Sequence, residues 1–265
     1  MNLLDTITIG AVASVIWPLC RVGGFFMTMF VVSGRTVPMR IRLLAAAAFT
    51  LCILPSIPAL PDGLAPFSGI GILITIKEVL IGACIGFMTQ FISQCFVLAG
   101  QTVAMQTGLG FASLVDPVSG TNTPVVGQFF TILTTLVFLA IDGHIIFFRM
   151  LLMSFVTLPQ GGEFISPVGL REMVEFGTMM FSSALAMAMS AICTMLVVNF
   201  TFGVMTRAAP QLNVFSMGFA VSMVVGLFIV RTSLNAYLNT FTMVFNEVMT
   251  RTCSLIGTSC EGILQ

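Results

Sequence analysis

The residues able to do chemistry in this chain are few, and they are poorly spaced for it. There is one histidine, His144, in the triplet Asp142-Gly143-His144. A lone imidazole between apolar segments could relay protons, but the commoner role, and the one this triplet predicts, is a hydrogen-bonded turn residue. Seven cysteines, at 20, 52, 84, 95, 193, 253 and 260, show no Cys-x-x-Cys spacing and have no histidine partners. They read as small buried hydrophobes rather than disulfides or metal ligands. No glycine-rich phosphate loop, nucleophile elbow or His-Glu-x-x-His pattern occurs. What remains is a handful of charges beside apolar runs. Lys77-Glu78 stands at the start of a long one, where snorkelling or capping is the expected role. Arg21 follows Pro18 inside the first apolar run, where it needs a partner or a lumen, and spacing names neither. No catalytic pair, metal centre or cofactor follows from these residues, so the expectation is a protein that is not an enzyme.

The elements that carry these residues belong to a membrane. Hydrophobic residues make up 57% of the 265 and charged residues only 8%, against about a quarter charged in an ordinary soluble domain. Mean hydropathy is +1.09. A chain so poor in charge cannot cover a surface facing water, which makes it a polytopic membrane protein or the core of a membrane complex. Ten basic and ten acidic residues cancel, and Lys77 is the one lysine, so there is no basic patch for nucleic acid. Arg21 interrupts the first apolar run and Asp5 precedes it, so no cleavable signal peptide is expected. Nineteen methionines suit irregular packing, with core filling their commoner use.

The charges divide the chain into long uncharged runs, of which Val79 to Val115 and Phe176 to Thr206 are the clearest. About six to eight apolar helices are expected, each near the ~20 residues that a span needs. The loop from Ser33 to Arg42 holds Arg35, Arg40 and Arg42 and should be cytoplasmic by the positive-inside rule, with Pro55 to Ser68 on the opposite side. Gly82 and Gly86 form a Gly-x-x-x-Gly pair, and Ala184, Ala188 and Ala191 line one face of a later helix. Such faces allow close helix contact, either within the chain or at an intersubunit seam. From Arg231 to Arg251, Leu234, Leu238, Phe241, Phe245 and Val248 form an apolar stripe, with Asn235, Asn239, Thr242 and Asn246 opposite. This segment either lies on the bilayer surface or continues the preceding helix.

Gln106 to Gly127 departs from both patterns. Gly108 and Gly110 break the preceding helix, and Asp116-Pro117 and Ser119-Gly120 mark turns. Leu109, Phe111, Leu114 and Val115 are too apolar for a solvated loop. Irregular backbone at membrane depth persists only when buried in protein or lining a cavity. On composition alone a buried inter-helix turn is the simpler reading, and a segment occluding a passage the sharper one.

Several segments together resemble the FliR family of type III secretion export-gate proteins, flagellar and injectisome. They are Trp17-Pro18-Leu19-Cys20-Arg21-Val22-Gly23, Val37-Pro38-Met39-Arg40-Ile41-Arg42-Leu43, Gln106-Thr107-Gly108-Leu109-Gly110-Phe111-Ala112 with Asp116-Pro117, and Asp142-Gly143-His144, where the family commonly has Asn for the Asp. The most specific is Arg207-Ala208-Ala209-Pro210-Gln211-Leu212-Asn213-Val214-Phe215 with Gly218-Phe219. The matches cover essentially the whole chain, closer to the flagellar branch. The resemblance implies an all-α membrane protein with a FliP-like part, 1–172, and a FliQ-like helical hairpin with a C-terminal amphipathic helix, 173–265. It implies a channel-forming subunit of the flagellar export gate in the bacterial inner membrane at the basal body. One such subunit joins five copies of FliP and four of FliQ in an assembly raised toward the periplasm, with FlhB, exported unfolded flagellar proteins and membrane lipid as further partners. Met105, Gln106, Gly108, Leu109, Gly110, Phe111, Asp116 and Pro117 then belong to a channel plug. Arg207, Pro210, Gln211, Asn213 and Phe215 make the hairpin turn that packs on a neighbouring subunit, with Gly82 and Gly86 as further packing positions. Arg21, Arg40, Arg42, Lys77 and Glu78 are structural charges. The alternatives are an injectisome gate subunit and a small-molecule transporter. The latter expects buried carboxylates or a histidine relay within the helices, which the uncharged runs do not offer.

Overall fold

A computed structural model describes residues 3–34, 37–58, 68–110, 124–162, 164–208, 214–258 and 260. Among them there are seven α-helices and no strand: α1 (Leu3–Thr28), α2 (Met39–Ile53, extended by a 3₁₀ turn at Leu54–Ser56), α3 (Gly69–Gln106), α4 (Val125–Ala140), α5 (Gly143–Thr157), α6 (Pro167–Ala208) and α7 (Val214–Leu255). The all-α class that the resemblance implied is the one observed.

Local chemistry sets the helix ends. The Ser68 hydroxyl accepts the amide of Gly71 at 3.0 Å to open α3. The Ser166 hydroxyl accepts that of Gly169 at 3.1 Å ahead of α6, whose first residue, Pro167, has no amide to leave unsatisfied. At the end of α7 Gly257 takes φ +70°. Its amide reaches the Ser254 carbonyl and that of Thr258 reaches Cys253, the paired bonds of a glycine-capped C-terminus. Between α4 and α5 the chain bends by 67° at Asp142, whose φ of 56° is left-handed. Asp and Asn tolerate that region better than other non-glycine residues, which gives the Asp142-Gly143-His144 turn a backbone reason.

Among the described residues, four helical segments are long and apolar enough to cross a membrane, or five if the bent pair α4–α5 is one span. Seven helices fall within the expected number, but they do not each make a span. The lengths are also uneven. α3 has 38 residues and α6 and α7 have 42 each. At 1.5 Å per residue α3 is about 57 Å long, nearly twice the ~30 Å of a hydrocarbon core. The segment from Arg231 to Arg251 continues the preceding helix as part of the unbroken α7. Its polar residues Asn235, Asn239, Thr242 and Asn246 are exposed as expected. The buried stripe is shifted: Leu238 is exposed, and Tyr237 takes the inward position with Phe241, Val244, Phe245 and Val248.

The chain packs as two compact units. One comprises Met1–Phe91, Phe138–Phe176 and Glu247–Gln265, and the second Ile92–Val137 and Gly177–Asn246. In the first, Gly82 and Gly86 of α3 receive the backbone of α1. A Cβ at Gly82 would lie 1.8 Å from the Arg21 carbonyl oxygen, and one at Gly86 2.1 Å from the Thr28 hydroxyl. Thr28 donates across this seam to the Ala83 carbonyl at 3.1 Å. The glycine pair therefore seats a helix of its own chain, the first of the two uses its spacing allowed. Phe25, Phe26, Phe49 and Phe148 close the unit with ring centroids 5.0 to 5.9 Å apart. In the second unit, Tyr237 donates to the Thr134 hydroxyl at 2.8 Å and packs on Phe96 and Phe130. Ala184, Ala188 and Ala191 are buried.

The cysteines depart from expectation. Cys253 and Cys260 are bonded to each other, with Cα atoms 5.7 Å apart, and Cys52 and Cys193 are exposed on their helices. Spacing gave no hint of the disulfide because the Gly257 cap, not a short motif, turns the chain back.

Candidate functional site

Two groups of residues stand out, each within one unit. The first is ionic. Arg21 of α1 and Glu78 of α3 form a fork pair with both side chains fully buried. Arg21 Nε donates to Glu78 Oε2 at 2.6 Å and Nη2 to Oε1 at 3.0 Å. The remaining guanidinium hydrogens reach the Ser154 carbonyl and hydroxyl of α5, at 2.6 and 3.2 Å, and the Leu158 carbonyl at 2.8 Å. The Phe155 ring lies 4.4 Å from Arg21 Cζ. All five donors of the planar guanidinium are thus engaged, which a lysine could not reproduce. This gives Arg21 the partner its position demanded. It also corrects the expectation for Glu78, which neither snorkels nor caps but sits in the interior, neutralised. Lys77, its neighbour, donates to the Gly162 carbonyl. A transporter would need a carboxylate free to bind or move a charge, and Glu78 is already held on both oxygens.

His144 is also not as expected. It opens α5, presents its ring edge-on to Phe148 at 6.2 Å, and its Nδ1 is buried with no hydrogen-bond partner among the described residues. The turn reading holds, whereas the hydrogen-bonded role does not, and aromatic packing takes its place. Arg42 donates to the carbonyls of Ser33 and Gly34, at 3.0 and 2.5 Å, bracing the basic loop. Arg40 is exposed at the start of α2.

The second group is the end of α3. The helix stops at Gln106, and Gly108 follows at φ +77°. The Gly108 amide reaches the Met105 carbonyl at 3.4 Å and the Gly110 amide reaches Ala104 at 2.9 Å. The breaking role assigned to these glycines is realised. Thr107 is buried under Gly226 of α7, where a Cβ would lie 2.6 Å from its methyl. Phe219 lies over Gly108, its ring 3.0 Å from where a Cβ would stand. Met105 and Gln106 are exposed, Leu109 is half-buried and Gly110 is buried. Phe111, Asp116 and Pro117 lie outside the described residues. So do Pro210, Gln211, Asn213 and the side chain of Phe215, while Arg207 is exposed in the last turn of α6. No group of three or more His, Cys, Asp or Glu side chains among the described residues could hold a metal.

Between α6 and α7 runs a groove of about 610 Å³ lined by Ser182, Ser183, Ser190, Thr232, Ser233 and Thr240 among others. Sequence reading passed over it, although serine recurring along α6 opposite hydroxyls on α7 was its signal. Elsewhere these helices expose large apolar side chains, among them Phe181, Leu196, Phe200, Val224 and Phe228.

An all-helical membrane protein with helices too long for one bilayer, broad exposed apolar faces and a glycine-broken helix end is the class defined here. The family model for bacterial export proteins, family 1, matches residues 12–248, and the chain belongs to that family. Among its relatives, the flagellar biosynthetic protein FliR of Escherichia coli (strain K12) is 35% identical over 211 residues, 80% of each chain. That of Pectobacterium carotovorum subsp. carotovorum is 32% identical over 82% of each. That of Bacillus subtilis (strain 168) is 25% identical over 90% of this chain and 94% of its own.

Proposed function

We propose that the chain is the channel-forming FliR-type subunit of the flagellar type III export gate, set in the bacterial inner membrane at the flagellar basal body. Unfolded flagellar proteins pass through the assembled channel, driven by energy supplied elsewhere, and the chain itself is not an enzyme. The observation that carries this reading is the family match across residues 12–248 together with relatives named for flagellar biosynthesis. Physical support comes from the apolar faces of α6 and α7. Side chains such as Phe200 and Val224, 72% and 68% exposed, suit burial by lipid or by sibling helices. The expected siblings are FliP and FliQ, five and four copies to one of this chain, with FlhB as a further neighbour and the assembly raised toward the periplasm. On this reading 1–172 is FliP-like and 173–265 FliQ-like. Gln106 to Gly127, with Met105 just before it, plugs the closed channel, and Arg207 to Phe215 turns the hairpin against a neighbouring subunit. The hydroxyl-lined groove between α6 and α7 favours a helix contact with small residues and hydrogen bonds, which lipid tails do not supply.

The test is co-expression with FliP and FliQ followed by native mass in mild detergent, alongside motility of cells in which this chain is the sole copy. A single complex containing all three chains, with motility restored, is expected. A monodisperse monomer indifferent to both siblings would sink the reading.

A further inference from the structure

We propose that Cys253 and Cys260 are a modification site. They receive a structural disulfide on the oxidising, non-cytoplasmic side of the membrane, from a protein disulfide donor. Two independent lines meet there. The first is chemical: the pair is bonded, with Cα atoms 5.7 Å apart, and such bonds form and persist outside the reducing cytoplasm. Cys253 is buried in the last turns of α7 and Cys260 is half-buried, brought back by the Gly257 turn.

The second line follows the chain through the first unit. The basic loop with Arg40 and Arg42 is cytoplasmic by its charge. Met39–Ser56 is long and apolar enough to cross, so α3 starts at Gly69 on the far side. Lys77, in the early turns of α3, donates to the Gly162 carbonyl. The chain leaving α5 has therefore returned to the level of the start of α3. Pro167 opens α6 five residues later. The end of α7 is tied to that start: Ser254 donates to Glu172 Oε2 at 2.7 Å, and the Leu255 Cα lies 3.3 Å from where a Cβ of Gly169 would stand. Cys253 and Cys260 thus share the side of Gly69, opposite Arg40 and Arg42. Charge patterning and the disulfide agree without either being used to infer the other.

The chemistry balances by exchange. The more accessible Cys260, as thiolate, attacks the donor's disulfide and expels one donor thiolate. Cys253 then attacks Cys260 Sγ in the mixed disulfide and expels the second. Two electrons and two protons leave the pair, and the donor is reduced to a dithiol. The bond fastens the segment after Gly257 back onto the last turns of α7.

The inference rests on the export-gate reading only for the choice of membrane. Cells expressing the full chain with FliP and FliQ are quenched in acid, denatured and alkylated with a polymer-bearing maleimide, each free thiol adding one step in apparent mass. Five adducts are expected before reduction, matching the five free cysteines, and seven after it, matching all seven. Cells lacking extracytoplasmic thiol oxidation should give seven without reduction. The Cys253→Ser, Cys260→Ser double variant should give five throughout. Seven adducts in ordinary cells, or five in oxidation-deficient cells, overturns the proposal. Native mass of the same membranes reads assembly separately, so an unoxidised pair in an intact complex refutes the disulfide alone. Five adducts without a complex refutes the gate reading alone.

Discussion

Arg21 and Glu78, 57 positions apart in sequence, meet side by side in the interior with their charges 2.6 Å apart and no exposure to solvent. Burying two ions costs several kcal/mol each, and the pair persists because Ser154 and Leu158 take the remaining guanidinium hydrogens. The clamp thereby joins α1, α3 and α5. Breaking it from one side leaves the other charge uncompensated. Glu78→Gln and Arg21→Ala are each expected to cost about 3–5 kcal/mol, read as a lowered thermal midpoint and reduced monodisperse yield in detergent. Replacing both residues with Met should recover much of the loss, since no orphaned charge remains.

The glycine seam allows a sharper contrast. Gly82→Ala drives a methyl into the Arg21 carbonyl, 1.8 Å away, whereas Gly23, two residues beyond Arg21 on α1, has nothing within 4 Å of its Cβ position. Gly82→Ala should separate α1 from α3 and abolish accumulation of folded protein. Gly23→Ala should leave yield unchanged or raise stability by up to about 1 kcal/mol, because alanine is the better helix former. Membrane-fraction immunoblots and thermal midpoints distinguish the two, and equal behaviour would contradict the close approach.

The difference between these sites also marks where sequence patterning stops being informative. Gly82 and Gly86 announce themselves by spacing, since four residues make one helical turn and place both on one face. The same rule placed Asn235, Asn239, Thr242 and Asn246 outward on α7. It misassigned Leu238, because Tyr237 has a hydroxyl that finds Thr134 and a ring that finds Phe96. Neither partner is visible from within the helix. The partner of Arg21 is likewise a product of tertiary structure. Cys253 and Cys260 meet through a glycine-capped helix end, a backbone event that cysteine spacing does not encode. The end of α3 at Gly108 was legible, because a positive φ calls for glycine.

Tyr237 gives a graded test in the second unit. Tyr237→Phe keeps the ring against Phe96, Phe130 and Phe241 but leaves Thr134 without its donor. A loss of about 0.5–1.5 kcal/mol is expected for that hydrogen bond. Tyr237→Ala removes the ring as well and should cost about 3–5 kcal/mol. Thermal midpoints in one detergent rank the three proteins, and a Phe variant as damaged as the Ala variant would make the hydroxyl, not the ring, the main contribution.

The end of α3 supports the last test, of the proposed plug. Gly108 holds φ +77° with the Phe219 ring over it, so the direction in which the chain leaves α3 depends on a conformation that side chains resist by about 1–2 kcal/mol. Gly108→Val meets both the backbone penalty and the ring. Gly108→Asn meets the ring but tolerates the left-handed region far better. If the following segment seals a channel, redirecting its start should open the seal without preventing assembly, since the clamp and the glycine seam lie in the other unit. Cells expressing the full gate without export substrate should then leak small solutes in the order Val above Asn above wild type, at equal complex yield. A double change of Leu109 and Phe111 to Ser should also leak, because polar groups admit water to a passage that apolar bulk keeps dry. Deleting between Gly110 and Gly120 should leak most, as it removes the backbone itself. Tight membranes in all four variants, with normal complex yield, would make the segment a buried turn and leave the channel to be closed elsewhere.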